Sequence, residues 1–189
     1  MASSATRDQI LDVAQELLQT RGYNAFSYRD IAQVVGIKSA SIHYHYPAKD
    51  ALGEALVRRY REDFGQARAR LDAETEPRRR LERYAKLFAA TLARGHRMCL
   101  CGMLAADFTT LPAPVQDQVR AFFDENEAWL AGVLAQGRLG SSLQFTGTPR
   151  SQGQALLATL EGAMLAARAA ADPRRFQAIA SQALNSLTP

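Results

Sequence analysis

The chain has 189 residues and an apolar fraction of 47%, enough to bury a core without disulfide or metal staples and too apolar for wholesale disorder. Its formal net charge is +4, yet from Met1 to Asp63 the basic and acidic residues balance at eight each, so bulk basicity does not single out a polyanion-binding part. The small and polar start, MASSATRDQILD, is not a signal peptide, and the low-charge stretch from Cys99 to Val115 is broken by Gly102, Pro112 and Pro114, so a soluble cytoplasmic protein is expected.

Ile10, Val13, Ala14, Leu17 and Leu18 recur at helical spacing and predict a first helix over Thr6 to Arg21, with Thr6 and Gln9 in capping-box register and Gly22 as its stop. Ser27 has the form of an N-cap, with Asp30 three residues on, for a short second helix whose buried side is Ile31, Val34 and Val35 and which ends at Gly36. Ser39 is placed to cap a third helix carrying Ile42 inward, and Pro47 halts that helix at Tyr46. A fourth, Ala48 to about Arg70, bears the stripe Leu52, Leu56, Val57, Tyr60 and Phe64.

Glu76 and Pro77 open a fifth helix, a short one covers Cys99 to Phe108, and Pro112 or Pro114 opens a long one that the Gly137 to Gly147 region ends, read as a mobile loop. Thr148 to Ala171 and Pro173 to Leu187, the latter with Asp172 as N-cap, complete the chain. No strand pattern competes, and the fold class is all-α. The expected division is a three-helix DNA-binding domain over residues 1–47 and a larger helical domain for ligand binding and dimerisation over 48–189, with the fourth helix connecting them.

A helix-turn-helix needs one helix across the DNA backbone, a sharp turn and a second helix free to enter the major groove. The segment SYRDIAQVVGIKSASIHYHY supplies all three: Ala32, Ile37 and Ile42 fall where the helices touch, leaving Lys38, Ser39, Ser41, His43 and Tyr44 on outer surfaces. Tyr44, His45 and Tyr46 also admit a packing role, since aromatics at helical spacing usually belong to a core. His43 and His45 point about 200° apart on a helix, which speaks against a shared metal.

The run SYRDIAQVVGIKSASIHYHYPAKDAL, behind the opening helix TRDQILDVAQELLQTRGY, resembles the signature of the tetracycline-repressor (TetR) family over roughly Thr6 to Leu56. That resemblance implies a dimeric regulator, more commonly a repressor, that reads a palindromic operator in double-stranded DNA and is released by a small-molecule effector. It places Arg29 near phosphate or a base edge, Lys38, Ser39, Ala40 and Ser41 at the head of the recognition helix, His43, Tyr44 and His45 at bases or phosphates, and Lys49 on a phosphate at the start of the fourth helix. It further implies a homodimer through the last two helices, for which Ala155, Ala158, Gly162, Ala163 and Ala166 allow close packing; an internal helix pair would use the same residues.

The segment RMCLCGMLAADF resembles thiol- or electrophile-sensing members, with Arg94, His96 and Arg97 near enough in sequence to favour a thiolate at Cys99 or Cys101. The same cysteines read equally as small core residues, and a metal site lacks a fourth ligand. Trp129, Phe122, Phe123, Phe88 and Tyr84 are the aromatic candidates for an effector pocket or, alternatively, for core. No cofactor is implied, and the sequence lacks nucleophile-elbow, Walker, dinucleotide and HExxH motifs, so no enzyme is expected. The rival reading is a helical protein-interaction module without DNA binding, a role that would not require the Ser27 to Lys49 pattern.

Overall fold

The computed structural model describes residues 2–187, and every regular element among them is helical. The helices are α1 (Ala2–Arg21), α2 (Tyr28–Val35), α3 (Ser39–His45), α4 (Lys49–Ala69), α5 (Pro77–Leu92), α6 (Leu100–Ala106), α7 (Ala113–Leu139), α8 (Pro149–Ala169) and α9 (Pro173–Asn185), with short 3-10 turns at Tyr23–Ala25, Arg70–Ala73 and Phe108–Thr110. This is an N-terminal helix-turn-helix followed by a larger helical part. No helix among the described residues is long and apolar enough to cross a membrane.

Caps written into the sequence mark the starts of α2, α5, α8 and α9. Ser27 precedes α2, its amide and hydroxyl both donating to Asp30 Oδ2 at 2.8 and 2.6 Å, and these bonds hold the Asp30 carboxyl below the usual range. Glu76 accepts from the amides of Arg78 and Arg79 ahead of α5, Thr148 from that of Ser151 ahead of α8, and Asp172 from that of Arg174 ahead of α9, each with Pro in the first turn.

Four local expectations differ from the structure. Helix α1 begins at Ala2 and runs through the Thr6 capping box, because a cap permits a helix start without enforcing one and the alanine-containing residues before it propagate readily. Val34 lies on the solvent side of α2 at 64% exposure, leaving Ile31 and Ala32 to fill the buried stripe of an eight-residue helix. The Gly137 to Gly147 stretch is not a loose loop: α7 continues to Leu139, the buried Leu143 packs onto Gly137, and the Arg138 guanidinium donates to the Phe145 and Gly147 carbonyls at 2.9 Å each while lying 3.8 Å from the Phe145 ring centre. A smaller shift makes Ser39 the first residue of α3 and Lys38 its N-cap.

Contacts gather the chain into two compact units, residues 1–63 with 100–121 and residues 64–99 with 122–189. In the first, Ile10, Leu18, Ile31, Ile42, Leu52 and Leu56 are fully buried and hold α1 to α4 around one core. Close approach needs Gly53, where a methyl group would stand 3.0 Å from the Tyr23 ring and hydroxyl and 3.1 Å from Val115. In the second unit Leu81, Tyr84, Phe88, Phe122, Leu130 and Leu160 are all but inaccessible. The buried Arg80 ties that unit together, donating twice to the Glu74 carbonyl at 3.0 and 2.8 Å and once to Gln136 at 3.0 Å.

The turn between α2 and α3 depends on Gly36, whose φ of 78° lies in the left-handed region. A methyl group there meets nothing within 4 Å, so Gly36→Ala tests conformation alone. It is expected to lower stability by about 1 kcal/mol in urea melts, without changing the slope of the transition.

Candidate nucleic-acid interface and polar core

Helix α2 is held against α3 by Ile31, Ala32 and Ile42, all buried, while the Gly36 and Ile37 amides both donate to the Ala32 carbonyl at 2.9 and 3.1 Å and so fix the sharp turn. With Ile42 facing in, α3 turns Ala40, Ser41, His43 and Tyr44 to solvent; Lys38 is also exposed, and Ser39 and His45 are half-buried. Arg29 stands exposed on α2. Tyr44 is 81% exposed, so its ring serves no core, and its neighbour is His45, edge-on at 5.2 Å. Tyr46 instead turns inward: it is 2% exposed, its hydroxyl accepts from Arg7 Nε at 3.1 Å, and the Arg7 guanidinium lies 5.6 Å from its ring.

Three side chains around the start of α4 form a second feature. His43 packs edge-on to Tyr28 at 4.7 Å and places Nδ1 3.3 Å from the Pro47 carbonyl, a contact in which the carbonyl can only accept. The Tyr28 hydroxyl donates to the Tyr46 carbonyl at 2.9 Å, and burial, then the Asp50 charge, push its pKa to about 12. The Lys49 ammonium is half-buried: it donates to the Tyr23 and Phe26 carbonyls at 2.7 and 2.6 Å and lies 4.8 and 4.6 Å from the centres of their rings. Desolvation lowers its pKa, but two carbonyls and two ring faces keep a cation favourable there. Phe26, Ser27, Tyr28, His43 and Lys49 line a hollow of about 260 Å³.

The second unit contains an aromatic cluster. Phe64 meets Phe122 at 5.2 Å, Phe88 at 5.6 Å and Tyr84 at 6.0 Å, all edge-on, and Trp129 stacks on Tyr84 at 5.2 Å while its Nε1 donates to Asp72 at 3.0 Å. A polar thread crosses this cluster: the Tyr84 hydroxyl donates to Asn126 Oδ1 at 3.0 Å, and Asn126 Nδ2 donates to the Phe122 carbonyl at 2.7 Å. Glu161 from α8 buries its carboxylate in the same unit, with the Cys99 thiol as its hydrogen-bonding neighbour. Burial raises its pKa to about 7, against a smaller lowering by the Cys99 thiol. Burial likewise lifts the Tyr84 hydroxyl well above its ordinary value, with the Cys99 and Glu161 charges adding to the effect.

Phe122 and Trp129 therefore sit together in one cluster, and Cys99 lies by Glu161 in the same unit. Cys101 belongs to α6 and to the first unit; neither cysteine is in a disulfide, and both are buried. Tyr28, Asn126 and Glu161 were not among the residues the sequence singles out. Glu161 had a readable mark, a carboxylate within the apolar spacing of Leu157, Leu160 and Met164, and Asn126 falls one turn from both Phe122 and Leu130.

Residues 10–56 match the family described as bacterial regulatory proteins, tetR family. The chain is 39% identical to a TetR-family transcriptional regulator from Agrobacterium tumefaciens, whose solved structure aligns over 99% of this chain and 100% of its own with a TM-score of 0.96. A TetR transcriptional regulator from Legionella pneumophila shares 30% identity over 95% of this chain and 96% of its own, with a TM-score of 0.87. The HTH-type transcriptional repressor NemR of Escherichia coli is 26% identical over 171 residues, 86% of this chain and 84% of that one.

Proposed function

The chain belongs to the TetR family of bacterial regulatory proteins, and from that premise we propose that it is a ligand-responsive transcriptional repressor that grips a palindromic operator as a homodimer. The observation that carries this reading is the outer face of α3, where Lys38, Ala40, Ser41, His43 and Tyr44 stand free of the core around a single buried anchor, Ile42. Short side chains at Ala40 and Ser41 let the helix backbone approach base edges, while Lys38, Tyr44 and His43 offer reach and hydrogen bonds. Arg29 and the hollow beside Lys49 and Tyr28 take backbone phosphates.

The face of α8 and α9 supports the dimer. Ala155, Ala158 and Gly162 are exposed beside Leu165, which is 58% exposed, and a groove of about 540 Å³ runs between Ala155 and Thr159 on one helix and Ile179 and Ala183 on the other. Small residues with an unburied leucine suit close helix packing against a second copy. A two-fold pair then presents two α3 helices to half-sites spaced by a whole number of DNA turns. The effector, taken up in the second unit near Cys99, Phe122 and Trp129, shifts the population toward a conformer whose reading helices no longer match that spacing.

A gel shift against DNA flanking the protein's own gene tests this. Palindrome-specific retardation is expected, weakening steeply as salt rises because phosphate contacts release counterions. Tyr44→Ala and Lys38→Ala are expected to reduce specific affinity by about 1–2 kcal/mol each and to change the ranking of operator variants. Lys49→Ala is expected to weaken all sequences alike and also to lower the melting midpoint, since it abandons the Tyr23 and Phe26 carbonyls. Absence of palindrome-specific binding overturns the repressor reading.

A further inference from the structure

Helices α5 and α9 run antiparallel, pinned at one end by Arg78, which donates to the Leu184 carbonyl at 3.0 Å and to Asn185 Oδ1 at 2.8 Å. Between them, within the second unit, lies a groove of about 530 Å³. It stays open because its central residues are small: Ala85 and Ala89 on α5 line it with Ala180 on α9, and Phe176 and Leu184 complete the floor. Protein interiors leave few voids larger than a water molecule, so a helix pair that packed only on itself would fill such a gap. Phe176, Ala180 and Leu184 recur every four residues over about 12 Å, the length over which a third helix presents an apolar seam of two turns.

The charge of the two helices describes that third helix. Together α5 and α9 carry seven basic residues and one acidic residue, Glu82. Arg78 neutralises Glu82 at 2.9 Å, Arg83 pairs with Glu74 at 3.1 Å, Arg174 pairs with Asp172 at 2.9 Å, and Arg80 is buried. Arg79, Lys86 and Arg175 are exposed and have no ion pair among the described residues. Lys86 lines the groove itself, and Arg79 stands two turns before it along the same edge of α5. The α9 wall offers Gln177 and Ser181, neutral hydrogen-bonding side chains, and no carboxylate.

We propose that the groove between α5 and α9 docks an acidic amphipathic helix of a partner protein, its apolar seam laid over Ala85, Ala89 and Ala180 and its carboxylates set against Lys86 and Arg79. The small floor residues let the guest backbone come close, the apolar seam supplies affinity, and the basic edge selects the sign of the guest's charge. Ile179 and Ala183, which line the other groove of α9 beside α8, stay available to a second copy of the chain, so docking and dimer formation use separate sides of α9.

The test is fluorescence anisotropy of the full-length protein, without DNA, against three stapled helical peptides that share one leucine seam and carry Glu, Gln or Lys on its flanks. The Glu peptide is expected to bind at least about tenfold more tightly than the Gln peptide, and the Lys peptide more weakly than either, with the spread narrowing as salt rises from about 0.05 M to about 0.5 M. Replacing both Arg79→Glu and Lys86→Glu is expected to reverse the order, so that the Lys peptide binds best, an outcome that misfolding would not give. Ala89→Leu, which fills the groove, is expected to weaken the Glu peptide at least about tenfold. No binding of the Glu peptide at about 1 mM, equal binding of all three peptides, or an unchanged order in the doubly reversed variant overturns the proposal. So does sedimentation showing that Ala89→Leu disrupts the dimer, which would assign the groove to a second copy. Because no operator is present, these results and those of the gel shift stand or fall independently.

Discussion

Tyr84→Ala is expected to remove about 3–5 kcal/mol of stability, a loss of about 10 °C in melting midpoint for a chain of this length. The ring is fully buried and touches Phe64, Phe88 and Trp129, so its removal leaves a cavity bounded by rigid rings that cannot collapse into it. The hydroxyl adds a second loss. It is the donor to Asn126 Oδ1, and Asn126 is itself 1% exposed, so without Tyr84 an amide oxygen is stranded in the core. Tyr84→Phe separates the two parts: it keeps the ring contacts, strands Asn126, and is expected to lose about 1–2 kcal/mol. Chemical denaturation at one fixed protein concentration checks both, because the midpoint of the proposed dimer would depend on concentration. A Tyr84→Ala loss below about 1 kcal/mol would mean that the aromatic cluster repacks and does not act as a fixed wall.

What the sequence makes legible is what is decided locally. The starts of α2, α5, α8 and α9 are readable because the cap residue and its partners lie within four positions of each other, as Ser27 and Asp30 do. The spacing of Ile31, Ile37 and Ile42 likewise carries the helix-turn-helix, since two short helices around a tight turn have few ways to bury their apolar faces. Where distant residues decide, local reading fails. Helix α7 passes Gly137 because Leu143 folds back over it, and Lys49 turns inward because the carbonyls of Tyr23 and Phe26, more than twenty residues earlier, meet it there. Nothing in the Pro-x-Lys-Asp motif records those carbonyls. Asn126 and Glu161 escaped for a related reason: one polar residue within an apolar stripe reads as tolerated noise until the opposite helices are in place.

Glu161→Gln is expected to stabilise the protein above neutral pH by about 3 kcal/mol and to leave it unchanged below about pH 4.5. Burial raises the carboxyl from its ordinary 4.5 to about 7 in the folded chain, so the folded state holds this proton more tightly than the unfolded state does. The stability linked to that proton is fully present below about pH 4.5 and is lost as pH rises through about 7, where the folded chain must accommodate a buried anion. Glutamine has the same shape and no charge, so the variant lacks this decline. The measurement is the difference in unfolding free energy between parent and variant across that window, which cancels every other titrating group. A difference that stays flat with pH would show the carboxylate to be solvated.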